Sequence, residues 1–489
     1  MQRTLYLILL ACLLACQTTS PSTTIPPDLS ADAETVLSNL SYRIQLKDTE
    51  TPRWTVEERM AHHKIPGVSI AFFEDGEIIW TKSYGYADVE GKRLVDENTR
   101  FQAASISKPV AASAMMQMVQ NGQLDLDKPV NEYLTSWKLT DNAFTQSKDV
   151  NLRRIVSHTA GLTVHGFRGY AKGEDVPTTT QVLDGAEPAN SDQILTDTFP
   201  GSMYRYSGGG YTLMQLLLED VSGKDFTTLM GENVLAKIGM ANSAYSQPLR
   251  ADWQGQEAYG YRGNGDMVEG KWHTYPEKAA AGLWTTPTDL AKFAIAVQEA
   301  WQGDENQFIS PDIAKQMLTT QLPAEDHGLG PSLQLQGDTI WFGHGGANEG
   351  FRCMLFSCVN NFKRQGMAVM TNSDNGSNLF MEIFVSAAEQ YGWNVFTPKV
   401  KDVIDLTAEE QARFAGKYRF TDEYIFDIVL EDGGLAVIQH WNDAHYPIYP
   451  EKPLEFFDLA DDSHFSFKAD ASGNIISVSD GPYTAEKVE

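Results

Sequence analysis

Two groups of strand-forming residues lie far apart in this chain, and their separation sets the limits on what it can fold into. VSIAFFEDGEIIWTKSYG, residues 68–85, holds two β-rich runs joined at Asp75-Gly76, a hairpin signal. The pattern returns only at DTIWFG (338–343), GFRCMLFSCV (350–359) and GMAVMTNS (366–373), followed by a helical run from about Leu379 to Tyr391. Between the two groups, residues 123–280 alternate short helical runs with Gly-, Pro- and Thr-rich loops. TTPTDLAKFAIAVQEAW then reads as a clear helix, with Thr286 as its cap and Pro287 in its first turn. Strands at both ends of a unit, with a helical region inserted, predict an α+β domain whose sheet is closed by distant segments.

After TPKVKDVIDL the texture changes. AGKYRF, IFDIVLEDGGLAVIQHW, EFFDL, HFSFKAD and NIISVSD are short strands separated by turns, Asp432-Gly433 among them. They predict a small all-β sandwich or barrel over 405–489, after a first body spanning 51–398. A length of 489 residues suits two domains. The net charge of −27 argues against nucleic acid as a partner.

The chain opens MQRTLYLILLACLLACQTTSPSTTIPP, a short apolar run that turns abruptly into Ser, Thr and Pro, as a secretory signal does. Leu13-Leu14-Ala15-Cys16 resembles the lipobox of bacterial lipoproteins, and Leu9-Leu10-Ala11-Cys12 is a second candidate. The expectation is a signal peptide over 1–16, lipidation at Cys16, and a tether over 17–50. Gln17 after the cysteine, rather than Asp, favours the periplasmic face of the outer membrane. Only Cys353 and Cys358 remain for the mature body. Five residues apart on one strand, at about 3.3 Å per residue, they are too distant for a disulfide and are expected as packed thiols.

The chemistry centres on FQAASISKPV, residues 101–110. Pro109 lacks an N–H, which is harmless only in the first turn of a helix, so the helix starts near Ser105. Lys108 then shares a face with Ser105, and an ammonium with a lowered pKa there could take or relay the serine proton. Two later segments could complete such a site. Tyr206 stands in a Gly-rich loop before a helix in MYRYSGGGYTLMQLLL, and His344-Gly345-Gly346 follows a β run in WFGHGGANEGF. His62-His63 has no accompanying metal-ligand spacing and reads as an exposed pair. No metal or other cofactor is expected.

In this order and spacing, Ser-x-x-Lys, Tyr-Ser-x and His-x-Gly resemble the serine β-lactamase-like, penicillin-recognising hydrolases of class C type. That family includes esterases, D-amino-acid peptidases and DD-peptidases. RFQAASISKPVAA, LRRIVSHTAGLT, KAAAGLWTTPTDLAKF and GHGGANEGF look like the same family, over about residues 52–395. The resemblance implies a β-lactamase/transpeptidase-like α/β sandwich with an antiparallel sheet, and the C-terminal β domain is similar to a lipocalin-like appendage. It implies Ser105 as acylated nucleophile, Lys108 as its activator and Tyr206 as base or proton shuttle. His344 occupies the place of the family's Lys in Lys-Thr-Gly, and the N–H groups of Ser105 and Ala347 would form the oxyanion hole. Gly208, Gly345 and Gly346 would line the substrate's place. In this family the SHTAGL stretch around His158 is structural.

Two departures bear on the substrate. Gly208 stands where the family often has the Asn of Tyr-x-Asn, a side chain that contacts the acyl amide. His344 weakens the fixed positive charge that would grip a β-lactam carboxylate. The expected activity is therefore an esterase or D-amino-acid amidase/peptidase acting on a small ester, amide or peptide. β-Lactamase or DD-carboxypeptidase activity is the alternative, and a catalytically idle, ligand-binding lipoprotein is the rival of another class.

Overall fold

The computed structural model describes residues 29–488 other than 147, 305–307, 323–325, 361–362, 442–443 and 461–462. Cys12 and Cys16, and with them the expected signal segment and lipidation site, lie outside the described residues.

Seven antiparallel strands form the central sheet: β1 (Gly67–Glu74), β2 (Glu77–Asp88), β3 (Arg93–Leu94), β4 (Ser332–Gln336), β5 (Thr339–Asn348), β6 (Phe351–Val359) and β7 (Gln365–Thr371). Their order is β3-β2-β1-β7-β6-β5-β4. Ala71 lies opposite Ala368 across the β1–β7 pair, so the two distant β groups close one sheet. Val68, Ile70 and Phe72 point to the face covered by the helix Gly376–Tyr391, while Ala71 and Phe73 point into the larger core beneath the helical region. With both faces buried, β1 has no solvent side to mark with polar residues, and it reads as an unbroken apolar run. Cys353 and Cys358 fall on opposite faces of β6, both buried and not joined in a disulfide.

The helix Pro287–Gln302 packs against the larger core and is capped as its sequence predicts, Thr286 Oγ1 accepting from the Asp289 N–H at 3.2 Å. Two expectations need correction. The stretch read as the end of a tether is packed from residue 29 on: a helix at Leu29–Leu37 buries Ala33, Val36 and Leu37 against Gly376–Tyr391. Tertiary packing, which local propensity does not report, holds it there. Nor is His63 exposed. Its Nε2 lies 3.0 Å from Glu382, which is itself paired with the buried Arg59.

Residues 416–487 form a closed barrel of eight antiparallel strands in simple up-and-down order, Tyr418 pairing with Lys487 to close it. Its ties to the rest of the chain include Ile44 N–H to Leu459 O at 3.2 Å and Ile404 N–H to Pro450 O at 2.9 Å. These contacts involve the N-terminal segment and the linker. Ile44–Leu46 pairs in parallel with Lys399–Lys401 beside them.

Candidate active site

Ser105 sits in a single 3-10 turn, Ala104–Ile106, that runs directly into the helix Ser107–Gln120. Ala104 has a φ of 47°, left-handed and costly for a residue with a Cβ. The surroundings hold the turn in place. Ala103 N–H donates to Leu283 O at 2.8 Å, Leu283 N–H donates to Ser107 Oγ at 3.0 Å, and Tyr245 OH donates to Ser107 O at 2.6 Å. Pro109 falls in the helix's first turn, where its missing N–H leaves no bond unmade.

Lys108 is 2% exposed, and its Nζ donates to Ser105 Oγ at 2.9 Å and to the Ala280 carbonyl at 2.8 Å. Burial alone pushes its pKa down to about 7, because desolvation penalises the ammonium. Around it stand the rings of Tyr206 and Tyr211, with centroids 4.9 and 5.8 Å from Nζ. Tyr206 precedes the helix Gly208–Ser222, whose cap Ser207 accepts from the Gly210 N–H at 3.0 Å. Burial raises the Tyr206 phenol to about 12, with its hydrogen bond to Ser105 acting the other way.

On the facing edge, β5 carries His344, Gly345, Gly346 and Ala347. His344 Nδ1 lies 2.5 Å from the Gly345 carbonyl, which can only accept, so Nδ1 carries the proton. That leaves Nε2 as the acceptor facing Tyr206 OH at 3.5 Å. Burial, with the Lys108 ammonium adding to it, lowers the imidazole to about 3, and the ring is neutral at physiological pH.

The glycines play different parts. A Cβ on Gly346 would meet the Ala103 carbonyl at 2.3 Å and Cys353 Sγ at 2.4 Å, so a glycine there lets β5 approach the turn that carries Ser105. Gly345 and Ala347 face outward and are exposed. Gly208 is buried under the Phe167 ring, 3.0 Å from where its Cβ would stand, with the His165 carbonyl at 3.1 Å. Phe167 therefore fills the space into which an Asn at this position would project.

His158 is buried and stacked on Tyr206, and its φ is 56°. It touches Tyr206 and the Ser207 N–H, which donates to its Nδ1 at 3.0 Å. Desolvation, reinforced by His327 and Lys108, holds its pKa well below the usual value. His327 meets the His158 ring edge-on, at 4.9 Å between centroids. Sequence reasoning missed His327, which lies in no recognisable motif, and the carbonyl of Ala280, which lies within the family-like stretch KAAAGLWTTPTDLAKF but has no side-chain signal of its own. Glu349, which follows the His344-Gly345-Gly346 stretch, is ion-paired with Arg262, and its N–H donates to Tyr275 OH at 3.1 Å. Although several histidines surround Tyr206, among the described residues no group of three or more His, Cys, Asp or Glu could hold a metal ion.

The Beta-lactamase family model matches residues 53–390. Protein flp of Staphylococcus aureus (strain N315) is 23% identical over 248 residues, covering 50% of this chain and 46% of that protein. A D-aminopeptidase of Brucella anthropi is 24% identical over 323 residues, covering 65% of this chain and 58% of that protein. Thus the chain spans about half the length of the relatives it matches. Among solved structures, the octameric penicillin-binding protein homologue from Pyrococcus abyssi superposes with a TM-score of 0.59 at 21% identity, covering 88% of this chain and 98% of that one. With more than half of its length matched, and with a Ser-x-x-Lys pair in hydrogen-bond contact, the chain belongs to the Beta-lactamase family of serine hydrolases.

Proposed function

We propose that this protein cleaves amide or ester bonds through a Ser105 acyl-enzyme, with D-amino-acid amides or short peptides as the foremost substrate class. The carrying observation is the buried Lys108 amine 2.9 Å from Ser105 Oγ, titrating near neutrality. In its neutral form Lys108 takes the serine proton as Oγ bonds to the substrate carbonyl carbon. The N–H groups of Ser105 and Ala347 receive the developing oxyanion. Tyr206, a phenol rather than a phenolate at this pH, gives its proton to the leaving nitrogen or oxygen as that bond breaks, and recovers one from the Lys108 ammonium. Water then hydrolyses the acyl-serine to a carboxylate and free Ser105.

The similarity to a D-aminopeptidase supports amides or peptides of D-amino acids. Neutral His344 and the Phe167-filled place beside Gly208 weigh against β-lactams, since neither offers a cation or an amide to the substrate. The lipobox-like Cys16 supports a lipid-anchored protein on the periplasmic side of the outer membrane.

Intact-mass spectrometry tests the reading. The protein is incubated briefly with a p-nitrophenyl ester, a D-amino-acid amide and a penicillin, beside Ser105→Ala. An acyl mass on the native chain with the amide or ester, absent from the variant, is the expected result. No adduct and no turnover with any of the three, from folded protein, would overturn it in favour of a ligand-binding role.

A further inference from the structure

The loop 165–168 crosses one end of the cleft and is fastened to both walls. At its start the His165 carbonyl accepts the Gly208 N–H at 3.0 Å, and the His165 ring lies 4.8 Å from that of Tyr206. At its end the Arg168 carbonyl accepts from His273 Nδ1 at 2.9 Å and from Tyr275 OH at 3.2 Å. That same hydroxyl accepts the Glu349 N–H at 3.1 Å, just past β5. Val164, which leads into the loop, has a φ of 60°, a left-handed backbone that a β-branched residue adopts only when its surroundings impose it.

β5 gives the loop its place along the substrate. His344 faces Tyr206, which hands its proton to the leaving group. Three residues on, the Ala347 N–H receives the oxyanion, and Glu349 lies two further still. The loop therefore meets β5 beyond the scissile carbonyl, on the side of the acyl group.

Phe167 is engaged, its ring over Gly208, but Arg168 is not. The Arg168 side chain is exposed, and among the described residues its guanidinium has no hydrogen bond and no ion pair. The carboxylates of the adjoining segments are already committed. Glu349 is paired with Arg262, Asp374 lies 3.0 Å from Arg352, and Glu174 accepts the Ala171 N–H at 2.7 Å. In a chain with 65 acidic side chains against 38 Lys and Arg, an arginine left without a carboxylate is out of proportion. Its planar fork of donors suits a carboxylate brought from outside.

We propose that Arg168 is a specificity-determining residue that takes a carboxylate on the acyl half of the substrate, as an acidic amino acid or a dicarboxylic half-acid would carry. The assignment rests on the Ser105 acyl-enzyme reading and narrows its substrate class.

Three p-nitrophenyl esters of matched acyl length test it on the full chain: the hydrogen adipate, which ends in a carboxylate, its methyl ester, and an analogue ending in trimethylammonium. The kcat/KM for the carboxylate is expected to be about tenfold or more above that for the methyl ester, with the cation poorest. Raising the salt to about 0.5 M should shrink that ratio. Arg168→Gln should bring the ratio to about one, Arg168→Lys should keep part of it, and Arg168→Glu should turn the preference toward the cation. Turnover of all three with no preference for the carboxylate, or a preference that Arg168→Gln leaves intact, would overturn the assignment while the acyl-enzyme reading stands. No acylation by any of the three, from folded protein, would overturn both.

Discussion

His158 lies almost face to face with Tyr206, the ring centroids 4.2 Å apart and the planes inclined by 28°. Its Nδ1 also accepts the Ser207 N–H at 3.0 Å, so one imidazole sets both the ring of Tyr206 and the backbone that follows it. His158→Ala is expected to slow acylation about 10- to 100-fold, with KM little changed, because a proton shuttle displaced by even an ångström loses most of its effect. His158→Asn, which can still accept from Ser207, should recover part of that rate. Single-turnover acylation followed by mass provides the readout, and an unchanged rate in His158→Ala would mean that other contacts hold Tyr206.

The rate of acylation should depend on Lys108 being neutral. Its folded pKa near 7 predicts that kcat/KM rises with pH through about 7 and then levels off. The Tyr206 phenol, raised to about 12, places the alkaline loss far above the working range. A pH–rate profile from 5 to 10 checks this, and a flat profile across neutrality would remove Lys108 as the base.

The same buried amine makes the folded state weaker than it could be. Between the folded value near 7 and the ordinary Lys value of 10.5, the unfolded chain holds the extra proton. Stability from this group therefore rises with pH through that window and is lowest below 7. Lys108→Met should abolish acylation yet raise stability at pH 7 by about 1–3 kcal/mol, with the Ala280 carbonyl's lost partner trimming the gain. Urea unfolding at pH 7 and pH 10 measures it. The advantage of the variant should shrink at the higher pH.

Gly208→Asn alone should not create an amide-recognition site. Its Cβ would press on Phe167 and on the His165 carbonyl, at a cost of about 1–2 kcal/mol. Combined with Phe167→Ala, the Asn gains room, and activity on acyl-amide substrates should rise relative to the parent. Turnover of N-acylated against free-amine D-amino-acid substrates distinguishes the two variants.

Much of this site is legible in the residues themselves. Ser105 and Lys108 carry a local signal, since a helix start and a three-residue step bring them together without help from the rest of the chain. Thr286, Pro287 and the turn at Asn121-Gly122 likewise announce helix ends by local chemistry. The carbonyl of Ala280, 172 positions from Lys108, has no side-chain identity to announce it. β5 shows the limit from another side. WFG reads as strand, but its continuation through HGGAN does not, because the glycine at 346 answers to the Ala103 carbonyl rather than to any β preference. The weak helical signal at Leu29–Leu37 says nothing of its docking, which depends on packing against the distant Gly376–Tyr391. The barrel, in contrast, depends on alternation and turns within one stretch, and six of its strands fall within the segments read from those signals, while His445–Lys452, interrupted by two prolines, and Tyr483–Lys487 do not.

The pairing of Ala71 with Ala368 also orders events in time. As the chain is made, β1 and β2 can form their hairpin early, but the other edge of β1 waits about 300 residues for β7. During that interval an apolar strand, destined for burial on both faces, has neither its neighbour nor its covering helix. The catalytic half of the molecule therefore cannot complete itself until after Gln365–Thr371 emerges, while the barrel, local in its contacts, can close within its own length. Newly made chains should accordingly be most vulnerable to aggregation and proteolysis in the window before residue 371, and truncations that end short of it should be found insoluble rather than partly active.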